Sequence, residues 1–233
     1  MKGIALLLFI CSFGCSVHAQ RSFVQLKTNK RNITIMLYDR TPKHREMFLN
    51  QIKLGNYKNA LFNRVIKDFV SQGGELDRPI LEREKLYPNQ IPPRIHSEID
   101  SNIIHKRGAL GAGRDDNPTK ASYLNQIYLV SGKVLTEAQL DSIENKIARK
   151  IAQKHRTIYA TQGGIPRLDF DYTIFGEIIE GLDIAETINK VETNKEDLPL
   201  SPVIFSIKVL GKRESARLKT ALSKSIINGD LQK

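Results

Sequence analysis

Residues 62–74, Phe-Asn-Arg-Val-Ile-Lys-Asp-Phe-Val-Ser-Gln-Gly-Gly, hold the side chains of this chain best placed to do chemistry. Strand alternation predicts Phe62, Arg64 and Ile66 on one face, which sets a guanidinium in an apolar row where desolvation is costly without a specific partner. The arginine charge is permanent, so Arg64 offers directed hydrogen bonding to an electron-rich atom and no proton transfer. Other chemistries have weaker support. His44, His96, His105 and His155 lack metal-ligand spacing and are expected to be solvated or locally hydrogen-bonded. Ser97, Ser101 and Ser122 have no accompanying base motif, so hydrolysis is disfavoured, and neither metal nor cofactor is expected.

The elements that must position Arg64 are mostly short strands. From Ser22 to Leu37 apolar and polar residues alternate around Thr28-Asn29-Lys30-Arg31-Asn32, which predicts a hairpin with Phe23, Ile33, Ile35 and Leu37 inward. Thr41-Pro42 starts a helix over 42–54 that Gly55 closes. Further strands are predicted at 61–66, 69–72, 109–113, 126–130, 172–179 and 203–210, and a helix at 181–190. So many strands with few helices imply an antiparallel barrel or sandwich. Two stretches read as insertions. Residues 75–104, with Pro79, Pro88, Pro92 and Pro93, predict an irregular excursion; 134–157 predicts one helix, with a Thr136/Gln139 capping box, a Leu135/Leu140 staple and Leu140, Ile143, Ile147 and Ile151 on one face.

The ends of the chain and its composition bound where it works. Lys2, the apolar run Ile4 to Cys11 and Val17-His18-Ala19 fit a secretory leader cut after Ala19, too short to anchor in a bilayer, and this implies a periplasmic or secreted protein. Cys11 and Cys15 are the two cysteines and both fall in the leader, so the mature chain would have no disulfide; a lipoprotein attached at Cys15 is the rival reading. The domain is then 20–212, followed by a basic tail over 213–233 in which Leu218, Leu222 and Ile226 recur at helical spacing. The net charge of +11 is scattered and carries no interleaved aromatics, which argues against nucleic-acid binding.

Three motifs in order give the chain a family resemblance. Residues 62–74 resemble the cyclophilin signature, in which a Phe-x-Arg strand leads through Phe-x-x-Gln-Gly-Gly into a proline-binding groove. Gly108-Ala109-Leu110-Gly111-Ala112-Gly113-Arg114 and Gln126-Ile127-Tyr128-Leu129-Val130 are similar to its Gly-x-Leu run and Ser-Gln-Phe-Phe strand. Leu168-Asp169-Phe170-Asp171-Tyr172-Thr173-Ile174-Phe175-Gly176-Glu177 looks like its Leu-Asp-Gly-x-x-x-Val-Phe-Gly stretch. The resemblance implies a mainly β fold, a closed eight-stranded antiparallel barrel capped by two helices, here with an inserted helix. It implies peptidyl-prolyl cis/trans isomerase activity on proline-containing polypeptides, without cofactor, by a monomer that assists folding of exported proteins. Arg64 would donate to the prolyl nitrogen and Gln72 would hold the substrate backbone and orient Arg64. Phe69, Val70, Tyr128 and Leu168 would wall the proline pocket, with Gly113, Arg114, Gln126 and Tyr172 as further substrate contacts.

Several residues depart from that pattern. Asn63 stands for a histidine, Val70 for a methionine, Arg167 for an indole, Phe170 for a turn glycine and Tyr172 for a histidine. Tyr123-Leu124-Asn125 replaces small residues before Gln126, and bulk there is expected to crowd the subsite for the residue two before proline or, failing that, to pack against the 134–157 helix. A groove kept but catalytically impaired by this change, a polypeptide-binding module, is the alternative function.

Overall fold

Parity in the first hairpin sets the interior of the molecule. The computed structural model describes residues 22–29 and 31–227, so the leader expected at 1–19 lies outside the described residues. Strands β1 (Phe23–Thr28) and β2 (Asn32–Leu37) pair with Val24 opposite Ile35 and Leu26 opposite Ile33, and these four side chains are buried together with Leu37. Phe23 has the other parity and faces away from that cluster, contrary to the expected inward set. It is buried all the same, against Leu210 and Leu218.

Six more strands complete the sheet: β3 (Ala60–Val65), β4 (Val70–Gly74), β5 (Ala109–Ala112), β6 (Gln126–Val130), β7 (Ile174–Glu180) and β8 (Val203–Val209). They close in the order β1-β2-β7-β5-β6-β4-β3-β8 with antiparallel neighbours throughout, which leaves no open sheet edge. The interior is filled by alternate residues of these strands, among them Phe62, Leu110, Ile127, Leu129, Phe175 and Phe205. Helix α1 (Pro42–Lys53) contributes Phe48, whose ring meets Phe175 edge-on at 5.2 Å between centroids.

The two insertions depart from their sequence expectations in opposite senses. Within 75–104 a helix α2 (Asp77–Leu86) forms, followed by a 3-10 turn at Pro88–Gln90. Pro79 does not prevent it, because a proline in the first turn lacks only an N–H that would have no partner within the helix. The predicted single helix at 134–157 is two, α3 (Glu137–Ile147) and α4 (Gln153–Thr161). The capping box at its start is present, with Gln139 N–H donating to Thr136 Oγ1 at 3.3 Å and Thr136 N–H to Gln139 Oε1 at 2.9 Å. Periodicity through Ile151 is deceptive because Ala148 turns left-handed, φ 49°, and the chain folds back so that the buried Glu144 carboxylate accepts from the Ile151 N–H at 2.8 Å. Leu140, Ile151 and Tyr159 then share one small core with Ile104. Helix α5 (Leu182–Asn189) joins α1 in capping the barrel through Ile184, Ala185 and Ile188. The tail forms α6 (Lys212–Ile227), which lays Leu218 and Leu222 over Phe23 and Met36 on the outside of the barrel.

Candidate active site

The site is built on the outward face of the sheet. Strand alternation that sends Ile127 and Leu129 inward sends Tyr128 and Val130 outward, where they meet Val70, Ala109 and Ile174 in a second apolar cluster bordered by Phe69, Leu168 and Tyr172. A cavity of about 110 Å³ opens there, lined by Arg64, Phe69, Val70, Gln72, Gly113, Arg114, Gln126, Tyr128, Leu168 and Tyr172. The ten residues expected to act on or contact the substrate all line this cavity. They come from three strands, β3, β4 and β6, and three connecting segments, so only closure of the barrel brings them together.

Arg64 reaches the cavity by a route that alternation did not predict. Phe62 pairs with Gly73 and Arg64 with Gln72, so β3 carries one extra residue, Asn63, in a bulge. Phe62 and Val65, three apart, both enter the interior, which a regular strand forbids. The Asn63 amide donates to the Gly74 carbonyl at 2.5 Å and holds the bulge, and Arg64 is re-aimed away from the apolar row to the groove. Its Nη1 donates to Gln72 Oε1 at 3.4 Å, and its Nε lies 3.6 Å from Asp197 Oδ2. Asp197, in the loop before β8, had no sequence signal. Its carbonyl also accepts from the Val65 N–H at 2.8 Å, so one residue braces both the strand and the guanidinium.

Aromatic rings and cations build the remaining walls. Tyr128 and Tyr172 meet edge to face at 6.1 Å, and the Arg114 guanidinium lies 4.5 Å from the Tyr172 centroid while Arg114 Nε donates to the Asp171 carbonyl at 2.8 Å. Arg167, in the place of an indole, covers Phe69 at 4.4 Å from its centroid. Burial raises the Tyr128 phenol pKa well above its usual value, helped by the neighbouring Tyr172 and Asp169 and opposed by the Arg114 cation, so this ring stays neutral. Phe170 adopts φ 66°, the conformation a turn glycine would take, under the Arg149 guanidinium at 4.5 Å. A Cβ at Gly113 would fall 1.8 Å from Gln126 Oε1, so a larger residue there would displace the Gln126 side chain. The Gln126 side chain thus folds over Gly113, and its Nε2 donates to the Glu75 carbonyl at 2.9 Å.

The segment expected to crowd a subsite does something else. Tyr123 is 2 % exposed, lies under the Arg94 guanidinium at 4.2 Å, and is not part of the cavity wall. Arg94 is itself held bidentately by Glu84 of α2 at 2.6 and 2.9 Å, so through Arg94 Tyr123 is tied to the 75–104 insertion. Leu124 and Asn125 also stand outside the wall. Sequence reading passed over His105 and Asp169 as site residues. His105 Nδ1 is 2.8 Å from Asp169 Oδ1 and its Nε2 is 2.9 Å from the Tyr128 hydroxyl, directly behind the cavity. The signal for Asp169 was present in the third motif, next to Leu168. Among the described residues no group of three or more His, Cys, Asp or Glu side chains could hold a metal ion.

Comparison with known proteins finds relatives by sequence and by fold. Residues 23–209 match the family model described as "Cyclophilin type peptidyl-prolyl cis-trans isomerase/CLD". A protein of Staphylococcus haemolyticus named "Putative peptidyl-prolyl cis-trans isomerase" is 30 % identical over 184 residues, 78 % of this chain and 87 % of that protein. A Staphylococcus aureus protein of the same name is 30 % identical over 183 residues, 78 % of this chain and 88 % of its own length. Among solved structures, a cyclophilin type peptidyl-prolyl cis-trans isomerase of Cryptosporidium parvum, crystallised in the presence of the dipeptide Ala-Pro, superposes with a TM-score of 0.57 at 20 % identity, covering 82 % of this chain and 99 % of that one.

Proposed function

Because this chain belongs to the cyclophilin-type peptidyl-prolyl cis-trans isomerases, we propose that its groove turns over proline bonds of exported polypeptides with Arg64 as the catalytic group. The observation that carries the catalytic assignment is the placement of Arg64 Nη1 and Gln72 Oε1, 3.4 Å apart, beside the aromatic and aliphatic surface of Phe69, Val70, Tyr128 and Leu168 in one cavity. The bond to be rotated has a barrier of ~18–20 kcal/mol because of amide resonance, and a catalyst must favour the twisted state in which that resonance is lost. Twisting makes the prolyl nitrogen pyramidal and exposes a lone pair. A guanidinium donor aimed there acts only in the twisted state and needs no proton transfer. Phe69, Val70, Tyr128 and Leu168 hold the proline ring while the chain on the other side of the bond turns. Gln72 orients Arg64 from one side and Asp197 from the other. The part of the proposal that concerns exported substrates is supported by Lys2, the apolar run from Ile4 and Ala19 alone.

The test of the catalytic assignment is substitution at Arg64. A positioned donor at developing charge contributes typically ~3–4 kcal/mol, so Arg64→Ala is expected to lower kcat/KM for a proline peptide by about two to three decades with an unchanged fold. Arg64→Lys should restore little, because an ammonium cannot address the nitrogen and Gln72 with one planar fork. Full activity in a folded Arg64→Ala protein would refute the mechanism.

A further inference from the structure

We propose that Tyr159, on the inserted helix α4, is a positioning residue for the proline pocket, acting through Asp169 and His105 on the Tyr128 ring. The inference rests on the reading of the groove given above. Four side chains far apart in sequence form one buried chain of hydrogen bonds. The Tyr159 hydroxyl donates to Asp169 Oδ2 at 2.6 Å; Asp169 Oδ1 lies 2.8 Å from both the backbone N–H and Nδ1 of His105; His105 Nε2 lies 2.9 Å from the Tyr128 hydroxyl. Tyr159, Asp169, His105 and Tyr128 are 0 %, 4 %, 1 % and 5 % exposed, so water does not compete for these bonds.

The donors and acceptors run in one sense. An ionised carboxylate only accepts, so His105 Nδ1 carries the hydrogen that Asp169 receives, and in the neutral ring Nε2 accepts from the Tyr128 hydroxyl. Asp169 then collects three donors, two from His105 and one from Tyr159. The far end of the chain is held sterically as well. Gly111 has no Cβ where one would fall 2.1 Å from Tyr128 Cζ, and the His105 ring lies nearly parallel to Tyr128, 8° between planes. The phenol therefore has one seat, and its face is a wall of the cavity. Leu168, another wall residue, directly precedes Asp169, so the same carboxylate anchors two walls. Tyr159 is the link of this chain that comes from α4, and without it one carboxylate oxygen in a buried site loses its donor.

A residue that merely supports the fold would change stability and leave the groove's affinity alone. A positioning residue changes both. The experiment measures the Kd of a short Ala-Pro peptide, with kcat and KM for its isomerisation, in Tyr159→Phe, Tyr128→Phe and the double variant, each checked for a cooperative melt. Tyr159→Phe keeps the ring and removes the donor; it is expected to raise Kd and KM about fivefold, as loss of one buried hydrogen bond implies, with kcat little changed. Tyr128→Phe cuts the same chain at the groove and leaves α4 intact, so it must reproduce that rise. The double variant is expected to be no worse than either single one, because both substitutions break one chain. Wild-type Kd in either folded single variant, or effects that multiply in the double, would overturn the inference. If the unaltered protein bound no proline peptide the reading of the groove would fall with it, whereas normal wild-type binding with an unmoved Tyr159→Phe sinks this inference alone.

Discussion

Tyr123 shows how a side chain's surroundings, more than its size, decide its effect. In the sequence it is bulk where small residues stand in relatives of this fold, next to a substrate contact at Gln126. In the folded protein it is 2 % exposed and sandwiched under Arg94, which α2 holds through Glu84. Replacing Tyr123 by serine removes a buried ring and its cation-π contact, so a stability loss of ~3–5 kcal/mol is expected, with no change in preference for the residue two before proline. Chemical denaturation midpoints and kcat/KM across a peptide series check this together. A shift in preference at constant stability would return Tyr123 to the subsite. Arg64 shows the converse, a residue whose local pattern pointed to the right importance for an incomplete reason. Its partners are Gln72 and Asp197, and the bulge at Asn63 aims it at them.

At the scale of elements, the two-helix insertion turns on Glu144. Its carboxylate accepts from Lys150 at 2.7 Å, from the Ile151 N–H at 2.8 Å and from Arg156 at 3.0 Å, and these bonds, the one from Lys150 foremost, hold its pKa down to about 2. The folded pKa lies below the ordinary 4.5, so the stabilisation is complete above pH 4.5 and is lost as pH falls toward 2. Glu144→Gln should melt below the wild type at pH 7, and the gap between the two should close progressively between pH 4.5 and 2. Thermal melts across that range decide it; a gap independent of pH would mean that the carboxylate charge is not what joins α3 to α4. Since α4 carries Tyr159, loosening this corner also reaches the groove.

At the scale of the whole molecule, the address of the protein can be tested. The barrel closes on itself without a free edge, and no described helix is long and apolar enough to cross a membrane. The expectation of a leader falls on residues outside the described part of the chain. If the N-terminal reading holds, mass spectrometry of protein recovered from the cell envelope or medium will find a chain beginning at Gln20 and free of lipid. A diacylated Cys15, or an intact Met1, would overturn it.

The strands, the two capping helices and the full set of cavity residues were legible in the sequence, because alternation, capping boxes and turn residues are local and three motifs in order carry the family pattern. What is not local was not legible. A bulge is one extra residue in a ladder and leaves alternation intact on paper, so it took the β3–β4 register to show how Arg64 is aimed. Helical periodicity through Ile151 could not reveal that a buried carboxylate would trade a continuous helix for its own hydrogen bonds. Phe23 was placed by parity against a partner strand, and its cover came from a helix at the other end of the chain. Asp197 beside Arg64, and Tyr159 behind Asp169, are pairs joined across 133 and 10 residues of sequence by closure of the barrel and by the fold of an insertion. Local propensity determines which segments are strands and helices; which side chains then share a buried site is decided by packing, because only there does an unpartnered polar group cost enough to choose its neighbour.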